Sequence, residues 1–237
     1  MEKPDYGLDA PGVIRNLALV GAAFLASALG LVVFNHQTWT SVIGFLVAAA
    51  VMFAEAMAMV WSSRRGKFIA RDRLLDDLRI QGNERVLDVG CGHGLLLIGA
   101  ARRVPQGRAV GIDLWSQEDQ GKNARELTLH NAQLEGVAER VEVQTGDMRK
   151  LPFGDGEFDA VVASLSIHNI PDVAGRNEAI REIARVLKPG GRIALMDFRK
   201  TGEYAEAARA AGLADVALTG RWFSIFPPVR VVTGRKP

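Results

Sequence analysis

Two long apolar segments lie near the start of the chain. Leu17–Phe34 contains no charged residue, and Val42–Val60 contains only Glu55. As α-helices they would each be about 27–29 Å long, close to the ~30 Å hydrocarbon core of a bilayer. A short uncharged link joins them, so the pattern predicts an antiparallel transmembrane hairpin over residues 13–63.

The basic residues near this hairpin lie on its outer flanks. Arg15 precedes the first span, the link between the spans has no basic residue, and five more follow the second span: Arg64, Arg65, Lys67, Arg71 and Arg73. Lys and Arg are enriched in cytoplasmic segments, and Trp residues such as Trp39 and Trp61 at the membrane interfaces. We therefore expect two spans in the cytoplasmic (inner or plasma) membrane, with both termini and the rest of the chain in the cytoplasm.

Some features of the hairpin have more than one interpretation. The acidic leader and the second span argue against a cleaved signal peptide, and the length of the apolar runs argues against a buried soluble hairpin. Small residues at four-residue spacing, such as Ala22, Ala26 and Gly30, allow close packing either within the hairpin or in a homo-oligomer. Glu55 either has a function or reaches the headgroup region beside the following arginines.

The remaining chain alternates between apolar strands and amphipathic helices. It begins with a predicted amphipathic helix over residues 64–84, on leaving the membrane. The strands are predicted at 85–90, 108–115, 140–147, 158–167 and 192–198, the helices at 95–104, 121–135, 176–187 and 203–211, and a terminal hairpin at 215–220 and 228–236. This alternation predicts an α/β domain over residues 85–237, with a parallel sheet covered on both faces.

The segment VLDVGCGHG, at the end of the first predicted strand, suggests a nucleotide site. Asp88, Gly90, Gly92 and Gly94 alternate as D-x-G-x-G-x-G between a strand and a helix. Glycines allow the main chain to lie against a ligand without a Cβ in the way. A dinucleotide dehydrogenase favours G-x-G-x-x-G. Here Gly94 comes one residue too soon, and a buried Asp88 would repel a pyrophosphate but suits a cationic ligand.

Two more acids end successive predicted strands. Asp113 ends the second strand, 23 residues after Gly90, where an acid can hold both ribose hydroxyls. Asp147 ends the third strand, within GDMRKLPF. The carboxyl ends of parallel strands share one edge of the sheet, so we expect Asp88, Asp113 and Asp147 to converge on one ligand.

Together these motifs resemble the class I S-adenosylmethionine-dependent methyltransferases, from about Phe68 onward, in the style of the ubiquinone/menaquinone and sterol methyltransferase branch. VLDVGCGHG is similar to their first motif, FDAVVASLSIHNI to the strand-four motif, and RVLKPGGRIALMD to the segment around strand five. The resemblance implies a Rossmann-like α/β fold with a mostly parallel seven-stranded sheet and an antiparallel last strand. It also implies S-adenosyl-L-methionine as cofactor. The membrane hairpin departs from the family pattern, so the substrate is not implied.

The resemblance further implies how the cofactor is held. Asp88 and Gly90 would face its methionine part, and Asp113 its ribose. Asp147 would accept a hydrogen bond from the adenine amine, and Ser164 would lie beside the methyl group. The full set of predicted cofactor-binding residues is Asp88, Gly90, Cys91, Gly92, Gly94, Asp113, Leu114, Trp115, Gly146, Asp147, Met148 and Ser164.

His168 is the candidate catalytic residue. It follows the fourth predicted strand at the carboxyl edge, and an imidazole titrates near neutral pH. A structural histidine bonded to its own loop is the alternative. Three more residues are predicted to contact the substrate besides His168. They are Asn169, which is the polar neighbour of His168, Trp222 in the terminal hairpin, and Tyr6. The leader, residues 1–12, is predicted to fold over the acceptor pocket with Tyr6 facing it.

Other side chains are interpreted as having no part in the chemistry. His93 in the glycine loop and His130 on a helix are not expected to react, Cys91 is expected to fill space, and Tyr204 is expected to connect a helix to the sheet. With one cysteine in 237 residues, a disulfide framework and a cysteine-rich zinc site are excluded, and no metal is predicted.

Charge narrows the range of partners. Only six of the 56 charged residues lie within residues 1–63, and the net charge of +2 gives no case for nucleic-acid binding. The excess of basic residues lies in the segment that directly follows the second predicted span. The predicted partners are therefore the lipid bilayer and a hydrophobic small-molecule substrate.

These expectations combine into a membrane-anchored methyltransferase that acts on a hydrophobic or membrane-dissolved acceptor at the cytoplasmic face. Two alternatives stay open. One is a methyltransferase for a small volatile thiol or halide, with the hairpin serving only as an anchor or oligomer contact. The other is a non-catalytic membrane scaffold that binds the cofactor. The acceptor atom, whether O, N, S or C, is not predicted.

Overall fold

The computed structural model describes residues 2–34, 39–116 and 124–237, and the chain divides into two compact units. The smaller unit is Leu8–Gly66, and the larger holds Lys67–Pro237 together with the residues up to Gly7. The predicted division assigned the whole leader and residues 64–84 to separate segments. The structure differs because Tyr6 is part of the larger unit's core and Phe68 packs against that core.

The smaller unit consists of two apolar helices, α1 (Pro11–Phe34) and α2 (Trp39–Trp61). A Cβ on Gly21 would lie 3.1 Å from the ring of Phe53, so the absence of a side chain there lets the helices pack closely. By length and composition, α1 and the helix that begins at Trp39 could both cross a membrane, with mean hydropathies of 2.1 and 2.2. A core helix of a soluble protein meets the same criterion, but only 11% and 22% of these apolar stretches are buried.

A π-helical turn, Ser62–Gly66, separates α2 from α3 (Lys67–Asp77). The single helix predicted from residue 64 onward is therefore interrupted at its start. Within the smaller unit, the buried hydroxyl of Ser63 accepts a hydrogen bond from the main-chain N–H of Asp9 at 3.0 Å, and donates to the Asp9 carboxylate at 3.2 Å. These bonds tie the residues that precede α1 to the π-helical turn.

The larger unit is built on a seven-stranded sheet with the order β3-β2-β1-β4-β5-β7-β6. Strand β7 is antiparallel to both β5 and β6, and the remaining neighbours are parallel. The predicted Rossmann-like fold, with its antiparallel final strand, is confirmed. The strands are β1 (Arg85–Val89), β2 (Arg108–Asp113), β3 (Val141–Thr145), β4 (Phe158–Ser164), β5 (Leu187–Asp197), β6 (Ala214–Leu218) and β7 (Arg230–Arg235).

The connecting helices are α4 (Leu95–Arg103), α5 (Arg125–Leu134), α6 (Val173–Val186) and α7 (Thr201–Ala210), with 3-10 turns at Ala138–Arg140 and Ile167–Asn169. The start of the helix predicted from residue 121 lies outside the described residues. Strand β4 ends at Ser164, three residues earlier than predicted, because Leu165 has a φ of +53° and cannot continue a strand. His168 therefore lies on a 3-10 turn beyond the strand.

Apolar side chains cover both faces of the sheet. Along β4, Ala160 and Val162 belong to one buried cluster, which also contains Leu74 of α3. Val161 and Ala163 belong to the other, which also contains Ile180 of α6. Successive side chains of a strand point to opposite faces, so the short apolar runs seen in the sequence are the two-sided core of a covered parallel sheet.

This core predicts a large stability difference between two phenylalanines. Phe158 is fully buried and meets the Phe153 ring edge-on at 5.0 Å, whereas Phe223 is 74% exposed. Phe158→Ala should lower the free energy of unfolding by about 3–5 kcal/mol, because it removes buried apolar surface and leaves a cavity. Phe223→Ala is the matched control and should change it by less than about 0.5 kcal/mol. Thermal unfolding of the detergent-purified protein measures both, and equal melting temperatures would contradict the assignment.

Candidate cofactor-binding and active site

The loops that follow β1 and β3 are both attached to the end of β2. The main-chain N–H of Gly90 donates to the Ile112 carbonyl at 2.8 Å, and that of Gly92 donates to Asp113 Oδ2 at 2.8 Å. The N–H of Gly146 donates to the Asp113 carbonyl at 3.1 Å. The strand-end residues predicted from sequence therefore lie at one carboxyl edge.

The glycine loop requires its first glycine because of a close approach between two loops. Gly90 has a φ of +75°, and a Cβ there would lie 2.3 Å from the Cβ of Ser166, in the loop after β4. The Ser166 hydroxyl donates to the Val89 carbonyl at 2.8 Å. The remaining loop glycines, Gly92 and Gly94, also have positive φ angles. The loop after β1 is thereby held directly against the segment that leads to His168.

Asp88 is buried beneath this loop. It is 2% exposed, and its Oδ2 accepts a hydrogen bond from the Leu97 N–H at 2.9 Å, in the first turn of α4. Burial, opposed by the Leu97 hydrogen bond and aided by the Asp113 charge, raises the pKa of Asp88 to about 8. The carboxyl therefore retains its proton near neutral pH, and a nearby cation would favour its ionised form.

Cys91 fills space under the same loop. A Cβ on Gly111 of β2 would lie 2.8 Å from the Cys91 Sγ, so the thiol is packed against the strand. Burial, aided by the charges of Asp88 and Asp113, raises the pKa of the Cys91 thiol well above its usual value. A neutral buried thiol is a poor nucleophile.

Asp113 is held by main-chain donors at both oxygens. Besides the bond from Gly92, its Oδ1 accepts from the Trp115 N–H at 2.7 Å. A carboxylate fixed in this way is an acceptor of the kind that ribose hydroxyls require. Leu114 is 59% exposed beside it, and the Trp115 indole N–H donates to Thr145 Oγ1 at 2.8 Å.

Asp147 has a partner that the sequence analysis missed. Its carboxylate accepts several hydrogen bonds from the Arg149 guanidinium, the shortest at 2.6 Å. These bonds hold the pKa of Asp147 below its usual value. The opposite charges two positions apart in GDMRK could have predicted the pairing of Asp147 with Arg149. Met148 approaches the glycine loop, with its Cε 3.4 Å from the Cβ position of Gly90.

His168 is paired with a buried carboxylate. Its Nδ1 lies 3.0 Å from Asp197 Oδ2, and the two side chains are 9% and 1% exposed. The Phe198 ring lies edge-on to the imidazole at 4.9 Å. The Tyr204 hydroxyl donates to the same Asp197 oxygen at 3.0 Å. Burial, followed by the Asp197 charge, raises the pKa of Tyr204, so the phenol remains a donor.

Asp197 and Tyr204 are functional candidates that the sequence analysis missed. Tyr204 was expected only to connect a helix to the sheet. Asp197 could have been identified from its position in the sequence, because it is the last residue of β5, just as Asp113 is the last residue of β2. Ser164, the last residue of β4, and Asn169, exposed on the 3-10 turn, lie in the same part of the chain as His168.

Two predicted substrate residues have buried side chains. Trp222 is 4% exposed within the core, with the Arg73 guanidinium 4.1 Å from its ring centroid. Tyr6 packs edge-on against Phe68, and its hydroxyl donates to Glu135, just after α5, at 3.1 Å. Tyr6 therefore belongs to the core of the larger unit, and its role at an acceptor pocket stays a prediction.

The larger unit is similar to known methyltransferases. Residues 86–191 match a family model described as a methyltransferase domain. The chain is 38% identical over 129 residues to the 27-O-demethylrifamycin SV methyltransferase of Amycolatopsis mediterranei, covering 54% of this chain and 43% of the relative. It is 38% identical over 122 residues to the ubiquinone/menaquinone biosynthesis C-methyltransferase UbiE of Pseudomonas entomophila, covering 51% and 44%.

The crystal structure of a SAM-dependent methyltransferase from Aquifex aeolicus shares the fold, with a TM-score of 0.56 at 18% identity, over 70% of this chain and 89% of that one. Residues 86–191 thus form a methyltransferase domain, and the fold, the glycine loop and these similarities support its assignment to the class I S-adenosylmethionine-dependent methyltransferases. The chain spans less than half the length of the two curated relatives.

The carboxyl edge fits S-adenosylmethionine as cofactor. A buried carboxyl with a pKa near 8, beside a second acid, suits a ligand that carries a sulfonium and an ammonium group. Asp88 and the loop from Gly90 to Gly94 would hold the methionine part, Asp113 the ribose, and Leu114 the adenine. Because Asp147 is bound to Arg149, an adenine amine would have to share its carboxylate with the guanidinium.

The raised pKa of Asp88 predicts pH-dependent cofactor binding. A cationic cofactor favours the ionised carboxylate, so its affinity should increase by about tenfold between pH 6 and pH 7.5, with proton release on binding. Asp88→Asn should bind more weakly, without this increase. Isothermal titration calorimetry in buffers of different ionisation enthalpy measures both quantities. The assignment is incorrect if Asp88→Asn shows the same pH dependence as the unmodified protein.

Proposed function

We propose that the protein is a membrane-anchored methyltransferase that transfers a methyl group from S-adenosylmethionine to an apolar, membrane-dissolved acceptor at the cytoplasmic face. The observation that carries the proposal is the presence of two long, largely exposed apolar helices in the same chain as the methyltransferase domain. A membrane anchor brings the domain to acceptors that are scarce in water.

The charge distribution supports the orientation. Arg15 lies near the start of α1, and Arg64 and Arg65 are exposed on the π-helical turn after α2. Positive residues on both outer flanks favour a hairpin whose two ends are cytoplasmic. The lipid bilayer is then the partner of the smaller unit.

His168 is proposed as the base. Bound S-adenosylmethionine supplies a methyl group on a sulfonium, which can be transferred by direct displacement. Since Nδ1 of His168 contacts the Asp197 carboxylate, the imidazole is expected to carry its proton on Nδ1 and to keep the lone pair on Nε2. Nε2 can therefore take a proton from an acceptor hydroxyl or thiol, or from an activated carbon acid.

Asp197 is proposed to position the imidazole. Its Oδ1 accepts from the Phe198 N–H at 2.8 Å, while its Oδ2 contacts both His168 and the Tyr204 hydroxyl. These bonds hold the carboxylate in one orientation, and its charge would stabilise the imidazolium that forms when His168 takes a proton. The names of the two curated relatives include an O-methylation and a C-methylation, so the acceptor atom stays open.

Replacing His168 tests the proposed base. His168→Gln should lower kcat by about 100-fold or more, the contribution typical of general-base catalysis, and leave the affinity for S-adenosylhomocysteine unchanged. His130→Gln, on a partly exposed histidine of α5, is the control and should retain full activity. Transfer of a radiolabelled methyl group into a membrane lipid extract gives the rate. Full activity in His168→Gln would overturn the proposed role of His168 as base, but not the proposal that the protein transfers a methyl group.

The class of acceptor has its own test. The purified full chain should release S-adenosylhomocysteine when supplied with a membrane lipid extract, and not when supplied with water-soluble metabolites, because the proposed acceptor partitions into the bilayer. Product is measured by mass spectrometry. Turnover with a small thiol or halide alone would contradict the apolar acceptor. Cofactor binding without turnover in any extract would instead support a non-catalytic scaffold.

A further inference from the structure

Residues 5–7, here called the leader clasp, lie against the outer side of the glycine loop within the larger unit. The link between them is the side chain of Asn131 on α5. Its Nδ2 donates to the Asp5 carbonyl at 2.8 Å and to the His93 carbonyl at 3.0 Å, and its Oδ1 accepts from the Asp5 N–H at 2.9 Å. One amide thus bonds to the leader and to the cofactor loop at once.

The same face of α5 holds the loop at a second point. Thr128, one turn before Asn131, donates from Oγ1 to the Gly92 carbonyl at 2.6 Å. Thr128 and Asn131 are both 0% exposed. Two successive loop carbonyls, at residues 92 and 93, are therefore fixed by buried side chains of one helix, and one of these side chains also holds the clasp.

The clasp is docked by its own contacts. The Tyr6 side chain is 6% exposed and packs on Phe68, and the ammonium group of Lys67 donates to the carbonyls of Tyr6 and Gly7, each at 2.7 Å. Lys67 is itself 5% exposed. These contacts come from α3, so they hold the clasp independently of the glycine loop.

Gly7 brings the clasp into direct contact with the loop. Its φ is +67°, and a Cβ there would lie 3.1 Å from Cε1 of His93, closer than side chains normally pack. His93 is 4% exposed, so it has little space in which to move away. The main chain of the clasp therefore lies directly against the imidazole of His93, between Gly92 and Gly94.

We propose that the leader clasp positions the glycine loop for S-adenosylmethionine, acting through Asn131 and His93, and so sets the affinity for the cofactor. The inference rests on cofactor binding at the glycine loop. A loop that is held in its binding conformation does not lose conformational freedom when the ligand arrives, so docking of the clasp and binding of the cofactor favour each other. Because the coupling is reciprocal, the cofactor must stabilise the docked clasp by the same factor.

Two glycines offer a matched test. Gly7 and Gly136 have nearly the same φ, +67° and +68°, but a Cβ on Gly136 meets nothing within 4 Å. Alanine introduces similar backbone strain at both, while only Gly7→Ala presses on His93. We expect Gly7→Ala to weaken S-adenosylhomocysteine binding at least fivefold, and Gly136→Ala to remain within twofold of the unmodified chain, by calorimetry on the full chain in detergent micelles.

Tyr6 supplies a second pair of variants away from the loop. Tyr6→Ala should undock the clasp and weaken binding by a similar factor, and Tyr6→Phe, which keeps the ring against Phe68, should restore it. Hydrogen exchange provides a readout besides affinity: S-adenosylhomocysteine should slow exchange of the amides of residues 5–7 in the unmodified chain.

The outcomes separate this inference from the proposed function. Suppose that the unmodified chain binds S-adenosylhomocysteine, and that Gly7→Ala and Tyr6→Ala bind it equally well but have lower thermal stability. The clasp then contributes only to the stability of the fold, and the inference is overturned. Unchanged exchange at residues 5–7 on binding would also overturn it. Failure of the unmodified chain to bind S-adenosylmethionine and S-adenosylhomocysteine would instead overturn the cofactor assignment, and the inference with it.

Discussion

The candidate site depends on the close approach of the main chain at Gly90 to Ser166. Any side chain at Gly90 would collide with the Cβ of Ser166, which lies 2.3 Å from the Cβ position, and would force the two loops apart. The bond from the Ser166 hydroxyl to the Val89 carbonyl fixes the same separation. The cofactor loop and the turn that carries His168 are therefore held against each other. Direct methyl displacement requires this, because its rate depends strongly on the alignment of the reacting groups.

The aspartates at the carboxyl edge of the sheet have different roles because their surroundings differ. Asp88 is buried and keeps a proton near neutral pH, whereas Arg149 keeps Asp147 ionised. Asp113 is tied to main-chain amides of two segments, and Asp197 contacts an imidazole and a phenol. The position of an acid at a strand end identifies the site, but its partners determine whether it binds, orients or takes up a proton.

Elements with a local hydrophobic pattern could be predicted from the sequence. The parallel strands, their helices and the terminal antiparallel pair follow from apolar runs and turn residues, and the structure confirms that sheet. Contacts between distant residues could not be predicted in this way. His168 meets Asp197 across 29 positions, and Asp5 meets Asn131 across 126. The leader is polar and has no periodicity, so nothing in its sequence indicated that Tyr6 would be buried.

The buried polar side chains behind the glycine loop are informative about what the domain needs. Thr128 and Asn131 are fully buried on α5, where apolar side chains would pack without any requirement for hydrogen bonds. Their polar groups are satisfied by the carbonyls of Gly92 and His93 and by the leader. An apolar acceptor offers few hydrogen bonds by which it could be oriented. If the acceptor is the apolar one proposed above, its alignment has to come from the cofactor side, where these two side chains hold the loop.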